Sequence, residues 1–227
     1  MRLHTSCAAL IAALATMTAA SAASAQDWDV AYNLAATSDY VFRGYSQTAE
    51  DPALSGGIDL TSGSFYVGGW ASNVDFGDST DAEVDVYGGY RTEANGFALD
   101  LGVVGYLYVD QPGSADYDYV EFKAAASRAF GPVTGGVAVF YSPDFFGADE
   151  QAVYTEANAA FSPATDWTVT AALGKQFLDV NDDYTTWNVG VAYAITDNLI
   201  ADVRYHDADV DGPLSDGRLV GTIKVVF

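Results

Sequence analysis

The chain has 227 residues, with 31 Asp and Glu against 9 Lys and Arg, a formal net charge of −22, and a hydrophobic share of 50%. That apolar share excludes a disordered acidic tail, because disorder goes with low hydrophobicity. The shortage of cations excludes nucleic acid as a partner, since phosphates need Lys and Arg to neutralise them. A single Cys excludes a disulfide framework and a multi-cysteine zinc site.

The chain opens with a targeting signature. Arg2 is a short positive region, Ala8 to Ala20 is an Ala, Leu and Ile-rich apolar stretch, and Ala23-Ser24-Ala25 fits a small-x-small cleavage site. Residues 1–25 therefore read as a signal peptide, and residues 26–227 as a single domain. Removing that segment takes away Arg2, His4, Cys7, Met1 and Met17, and no acid. What is left has no Cys, no Met and one His, His206, so zinc, thiol and haem chemistry are hard to build and no cofactor is expected. No later apolar run is long enough for a membrane-spanning helix.

From Trp28 onward the periodicity is two, the mark of strands. Even positions from 28 to 42 read Trp28, Val30, Tyr32, Leu34, Ala36, Ser38, Tyr40, Phe42, and the odd positions between them are mixed or polar. The pattern recurs with Phe97, Leu99, Leu101, Val103 and Leu107, with Trp187, Val189, Val191, Tyr193 and Ile195, and with Leu219, Ile223, Val225 and Phe227. Strands are predicted over 28–45, 53–60, 64–74, 82–92, 97–109, 117–130, 132–142, 151–162, 166–178, 184–196, 198–207 and 217–227. Short connections such as Asn95-Gly96 and Gly131-Pro132 carry hairpin-turn residues. They alternate with longer polar ones near 46–52, 75–81, 110–116, 143–150, 179–183 and 208–216.

Long-short alternation over about twelve strands predicts an all-β, antiparallel, up-and-down transmembrane β-barrel with short periplasmic turns and longer outer loops. Closure satisfies every backbone N–H and C=O, as lipid demands. Aromatic residues at the strand ends predict two interfacial belts. Trp28, Phe65, Tyr90, Phe97, Phe130, Phe161, Trp167, Tyr193 and Phe227 lie at the short-turn side; Tyr45, Tyr108, Tyr117, Tyr141, Phe177, Tyr184 and Tyr205 lie at the long-loop side.

Two stretches carry a family resemblance. Ser38-Asp39-Tyr40-Val41-Phe42-Arg43-Gly44-Tyr45-Ser46-Gln47-Thr48 precedes Pro52-Ala53-Leu54-Ser55-Gly56-Gly57-Ile58-Asp59, and Phe65-Tyr66-Val67-Gly68-Gly69-Trp70-Ala71-Ser72-Asn73-Val74-Asp75-Phe76 precedes Glu83-Val84-Asp85-Val86-Tyr87-Gly88-Gly89-Tyr90. Together they resemble the TorF porin family, also called the Gcw_chp family of bacterial outer-membrane-type proteins. The resemblance implies an outer-membrane barrel with a pore; it supplies no substrate and no catalytic residue.

With the apolar faces turned to outer-membrane lipid, the opposite faces line a lumen. The pore-lining candidates are Arg43, Asp59, Asp85, Asp100, Glu121, Lys123, Glu156, Asp202 and Arg204, with Asp29, Asp39, Glu83, Arg91 and Lys224 on the same faces. Buried strand charges must be paired or wetted. Arg43 is either a constriction charge or a partner of Asp59 or Asp39 across neighbouring strands. The acidic excess points to a narrow, cation-preferring channel for small solutes. The alternative is a non-conducting barrel with a structural or ligand-binding role through its acidic outer loops. A soluble barrel with its apolar face inward would show the same alternation.

Other chemistries fit poorly. Asp207-Ala208-Asp209-Val210-Asp211-Gly212 opens like an EF-hand loop, but its twelfth position is Arg218, where a bidentate Glu is required, so no metal site is assigned. His206 stands with no neighbouring nucleophile pattern, so no enzyme is expected.

Overall fold

The computed structural model describes residues 28–227, so the proposed leader at 1–25 lies outside the described residues. Every regular element among them is a strand. The first segment gives β1 (Asp29–Thr37), β2 (Val41–Phe42) and β3 (Tyr45–Ser46). Then come β4 (Ala53–Ser62), β5 (Phe65–Asn73), β6 (Ala82–Ala94), β7 (Phe97–Val109), β8 (Tyr119–Phe130) and β9 (Val133–Ser142). The chain ends with β10 (Ala152–Ala164), β11 (Trp167–Leu178), β12 (Tyr184–Ala194), β13 (Leu199–Ala208) and β14 (Arg218–Val226). All except β2 and β3 form one closed antiparallel barrel in which each strand pairs with its chain neighbours.

The barrel closes where its ends meet. β1 pairs with β4 on one side and with β14 on the other, in the register Asn33↔Val226 to Thr37↔Thr222. The last residue completes the seam: the Phe227 N–H donates to the Tyr32 carbonyl at 2.9 Å and the Tyr32 N–H returns to Phe227 at 3.2 Å. No barrel strand is left with a free edge, which is what a sheet in lipid requires.

The alternation has the expected sense. Leu34, Leu54, Leu101, Phe122, Val137, Leu173, Val203 and Leu219 stand on the outer surface, each more than half exposed. Their strand neighbours point inward and are largely polar or small, among them Asn33, Asp100, Glu121, Asp202 and Arg204, with Gly102, Ala138 and Gly174. An apolar exterior around a polar interior is the arrangement of a membrane barrel and the inverse of a soluble one. Inward tyrosines also explain inward glycines. A Cβ at Gly102 would meet the Tyr66 hydroxyl at 2.6 Å, and one at Gly174 would collide with the Tyr154 ring.

The short-turn aromatic belt is on the outside. Trp28, Phe65, Phe97, Phe130, Phe161, Trp167 and Phe227 are all exposed. Within it Phe65 meets Tyr90 edge-on at 5.1 Å and Trp167 meets Tyr193 at 4.7 Å. The long-loop belt is only partly there. Tyr141 and Phe177 face outward, whereas Tyr108 and Tyr184 are buried inside the barrel. Tyr45 packs edge-on against Tyr184 at 5.2 Å. These inward rings belong to the lumen, because their strand positions fall on the polar phase of the alternation.

The largest departure from the sequence pattern is in the first predicted strand. It ends at Thr37, and Arg43 is not on it. Residues 38–52 turn into the barrel, and within them β2 and β3 make a hairpin of their own, with Val41 opposite Ser46 and Phe42 opposite Tyr45. Arg43 and Gly44 form its two-residue tip, both with positive φ, 46° and 90°. That is the geometry of a type I′ turn, whose twist suits a hairpin.

Placing charge on the outer face tests the orientation directly. Val103→Arg, at the middle of β7, should cost about 2–4 kcal/mol in reversible unfolding from lipid vesicles. The same change at lumen-facing Ala125 should cost clearly less.

Candidate functional site

The inward hairpin is built from short polar side chains that bond locally, which is why this segment leaves the barrel wall. Asp39, buried, accepts from the Ser46 hydroxyl at 2.7 Å and the Thr48 hydroxyl at 3.1 Å. Arg218 on β14 ties the same carboxylate to the wall at 3.0 Å. On the other side, the Tyr40 hydroxyl donates to Glu83 of β6 at 2.9 Å, and its ring meets Trp70 of β5 edge-on at 5.3 Å.

The tip reaches across the lumen. Arg43 donates through Nη1 and Nη2 to the two oxygens of Glu121 on β8, both at 2.7 Å. Nη1 also donates to the Gln176 side-chain carbonyl on β11 at 3.2 Å. Three rings enclose the guanidinium, with centroid distances of 4.2 Å to Tyr154, 4.7 Å to Phe42 and 5.2 Å to Phe140. Tyr106 adds a hydroxyl donor to Glu121 at 3.1 Å. The pair is almost sealed, with side-chain exposures of 6% for Arg43 and 1% for Glu121.

Arg43 therefore pairs with neither Asp59 nor Asp39, contrary to both expected pairings. Neighbour-strand pairing would require it on β1; the tip instead sets it against β8, whose carboxylate offers the bidentate fork that guanidinium matches. The arrangement has a backbone cost. A non-glycine residue in the left-handed region costs about 1–2 kcal/mol. Gly44 beside it is needed for space as well as φ, since a Cβ there would lie 2.8 Å from the Thr186 hydroxyl and 2.9 Å from Ala208.

The remaining sequence-chosen residues lie on inward strand phases and divide into two groups. In the first, each charge has an opposite partner. Lys123 bonds to Asp100 at 2.8 Å, and Arg91 reaches the same oxygen at 3.3 Å while its guanidinium lies 3.9 Å above the Tyr66 ring. Arg204 meets Asp202 at 3.3 Å and also bonds Asn188 at 2.6 Å and Thr170 at 2.7 Å. In the second group, carboxylates make no salt bridge among the described residues. Asp59 accepts from the Tyr87 hydroxyl at 2.7 Å. Glu156 accepts from the Asn158 amide at 2.8 Å and the Tyr154 hydroxyl at 3.2 Å. Asp85 has one buried oxygen with no hydrogen-bond donor.

The hairpin leaves two cavities beside it. One, of about 320 Å³, is lined by Phe42, Arg43, Arg91, Asp100, Lys123, Glu156 and Asn188. The other, of about 310 Å³, is lined by Asp39, Tyr40, Asp202, Arg204, Thr222 and Lys224. They share Val41, Asn188 and His206. Toward the long loops the lumen is filled by rings, of which the sequence pattern put Tyr108 and Tyr117 in the outer belt and gave no place to Tyr106, Tyr119 or Phe146. Tyr106 stacks on Tyr119 at 4.3 Å, Tyr117 stacks on Phe146 at 4.7 Å, and Phe76 meets Tyr108, Tyr117 and Phe146 at 5.6–5.8 Å. The signal for them was present: Phe76, Phe145 and Phe146 are aromatic residues inside polar loops.

The outer loops use their acids locally. The Tyr117 hydroxyl donates to Asp78 at 3.0 Å, and this bond pushes the Tyr117 hydroxyl pKa above its ordinary value. The Thr185 N–H holds the Asp209 carboxyl below the usual carboxylate range. Among the described residues no three His, Cys, Asp or Glu side chains converge as a metal site.

Removing the hairpin's partner should expose its dependence on one pair. Glu121→Gln leaves Arg43 buried without a counter-charge, and breaking such a pair costs about 3–5 kcal/mol. The expected readout is a lowered unfolding midpoint together with faster amide exchange at Phe42 and Tyr45.

The comparisons bear on the fold. A KdgM porin is similar at a TM-score of 0.59 and 10% identity, covering 87% of this chain and 97% of that one. The same porin in complex with disordered oligogalacturonate gives 0.60 at 10% identity and the same coverage. The COG4313 outer membrane channel from Pseudomonas putida F1 gives 0.55 at 11% identity, covering 91% and 97%. Among curated proteins none matches the chain by sequence. The family model does match, over residues 19–225, and on that match the chain belongs to Gcw_chp, a family described as bacterial protein of unknown function.

Proposed function

We propose that this chain is an outer-membrane porin of the TorF kind, exported by its N-terminal signal peptide. On this reading it allows passive, weakly selective diffusion of small solutes and prefers cations. The observation that carries this reading is the inverted barrel itself. Its outside is apolar, and its inside is a charged, cavity-bearing lumen in which the wall is complete. The path runs beside the hairpin through the two cavities that share Val41, Asn188 and His206. Arg43, Asp100, Lys123 and Glu156 line the first cavity and Asp202 and Arg204 the second; on this reading Asp59, Asp85 and Glu121 complete the pore-lining set from the same lumen-facing strand phases, and Arg43 is the constriction charge. The long loops face outward from the cell and the short turns face the periplasm.

Cation preference rests on the pairing pattern rather than on the gross charge. Arg43, Arg91, Lys123, Arg204 and Arg218 each have a carboxylate partner. Asp59, Asp85 and Glu156 make no salt bridge among the described residues, and only Asp59 has a lumen cation, Lys224, near enough to act on it. An ion in the lumen therefore meets a net negative field. The KdgM porin was solved with oligogalacturonate, a polyanion; here Arg43, Arg91, Lys123 and Arg204 are each tied to a carboxylate, and Lys224 in the second cavity does not by itself make a continuous track for such a ligand.

The second reading is a non-conducting barrel with a structural or ligand-binding role. The hairpin and the aromatic filling on the long-loop side favour it. Planar-bilayer recording separates the two. The channel reading expects small discrete steps whose reversal potential in a potassium chloride gradient lies toward potassium. The double change Asp59→Asn with Glu156→Gln should move that potential toward zero. A folded barrel that stays silent would establish the second reading.

A further inference from the structure

The pocket that holds Arg43 is made almost entirely by other parts of the chain. Glu121 comes from β8, Phe140 from β9, Tyr154 from β10 and Gln176 from β11, so four adjacent wall strands set it. The hairpin contributes only Phe42 and the guanidinium itself. A forked carboxylate, an amide oxygen and aromatic faces together form a complete receptor for a planar cation. Nothing about the turn calls for that cation. The tip has positive φ at Arg43, where Asn, Asp or Gly is the ordinary choice. The pocket is also not isolated from the lumen. Arg43, Tyr106, Phe140 and Tyr154 line the same 320 Å³ cavity as Glu156, a carboxylate with only neutral partners. A cation in that cavity therefore has Glu156 and the aromatic rim of the Glu121 pocket along the same walls.

We propose that the Glu121 pocket is a recognition site for guanidinium-bearing solutes and that Arg43 on the inward hairpin is its built-in competitor. This rests on the channel reading for its biological sense and deepens it by naming the solute class. A free guanidinium takes the place of the Arg43 head group on Glu121 and Gln176, and the tip is released as the solute is bound. An alkylammonium, lacking the fork, satisfies only one carboxylate oxygen at a time and binds more weakly.

The test is calorimetric titration of the full barrel, refolded in detergent, with ethylguanidinium and with ethylammonium as probes. Arg43→Ala should bind ethylguanidinium at least tenfold more tightly than the unaltered chain does. It should prefer ethylguanidinium over ethylammonium, and it should lose the binding when Glu121→Gln is added. Arg43→Gly, which suits the positive φ, repeats the measurement if Arg43→Ala does not fold. Absence of ethylguanidinium binding to the folded variant, or binding that survives Glu121→Gln, would overturn the proposal. Ion currents play no part in this measurement, so a failure of the pocket and a failure of the channel are told apart.

Discussion

A sheet placed in hydrocarbon has no water to satisfy its edges, so every strand must find two partners. The rest of the molecule follows from that constraint. It requires β1 and β14 to meet, and the reciprocal Tyr32 and Phe227 bonds carry the seam to the last residue. It also fixes the sense of the side chains. Once the wall is closed, one phase of each strand faces acyl chains and the other faces an interior too small to be ignored.

That interior explains the charge pattern. A twelve-stranded wall encloses a lumen narrower than that of the large porins, and bare charges there are costly. The chain answers in two ways. Most lumen cations are held by carboxylates, as in Lys123 and Arg91 on Asp100, and inward tyrosines cover inward glycines, as Tyr66 covers Gly102. The leftover carboxylates, Asp59, Asp85 and Glu156, keep neutral donors or none. The hairpin then turns into the remaining space, with a cavity on either side, and brings its own cation to Glu121.

Much of this was readable along the chain. The 97–109 strand is found where its alternation places it, as are both ends of most others to within two residues. The inward phase of Asp100, Glu121, Glu156 and Arg204 follows from the same count. The first strand misled because Trp28 to Phe42 alternates without a break while the backbone turns inward after Thr37. Gly44, next to Arg43, was the local sign of a turn. The tyrosines near the long loops misled for a related reason: an interfacial belt and a lumen cluster both draw aromatic residues to strand ends, and only phase separates them. Tyr108 and Tyr184 are on the inward phase.

Period-two alternation is a local property, set by where successive Cβ atoms point, so the sequence alone determined the number of wall strands, the long and short connections and, outside residues 38–45, which residues share a face. What the hairpin tip touches is not local. Arg43 meets Glu121 across 78 positions and Gln176 across 133. No spacing rule reaches that far. The curvature of the closed wall decides which strands stand opposite the inward loop, and hence that Glu121, rather than Asp39 or Asp59, receives the guanidinium.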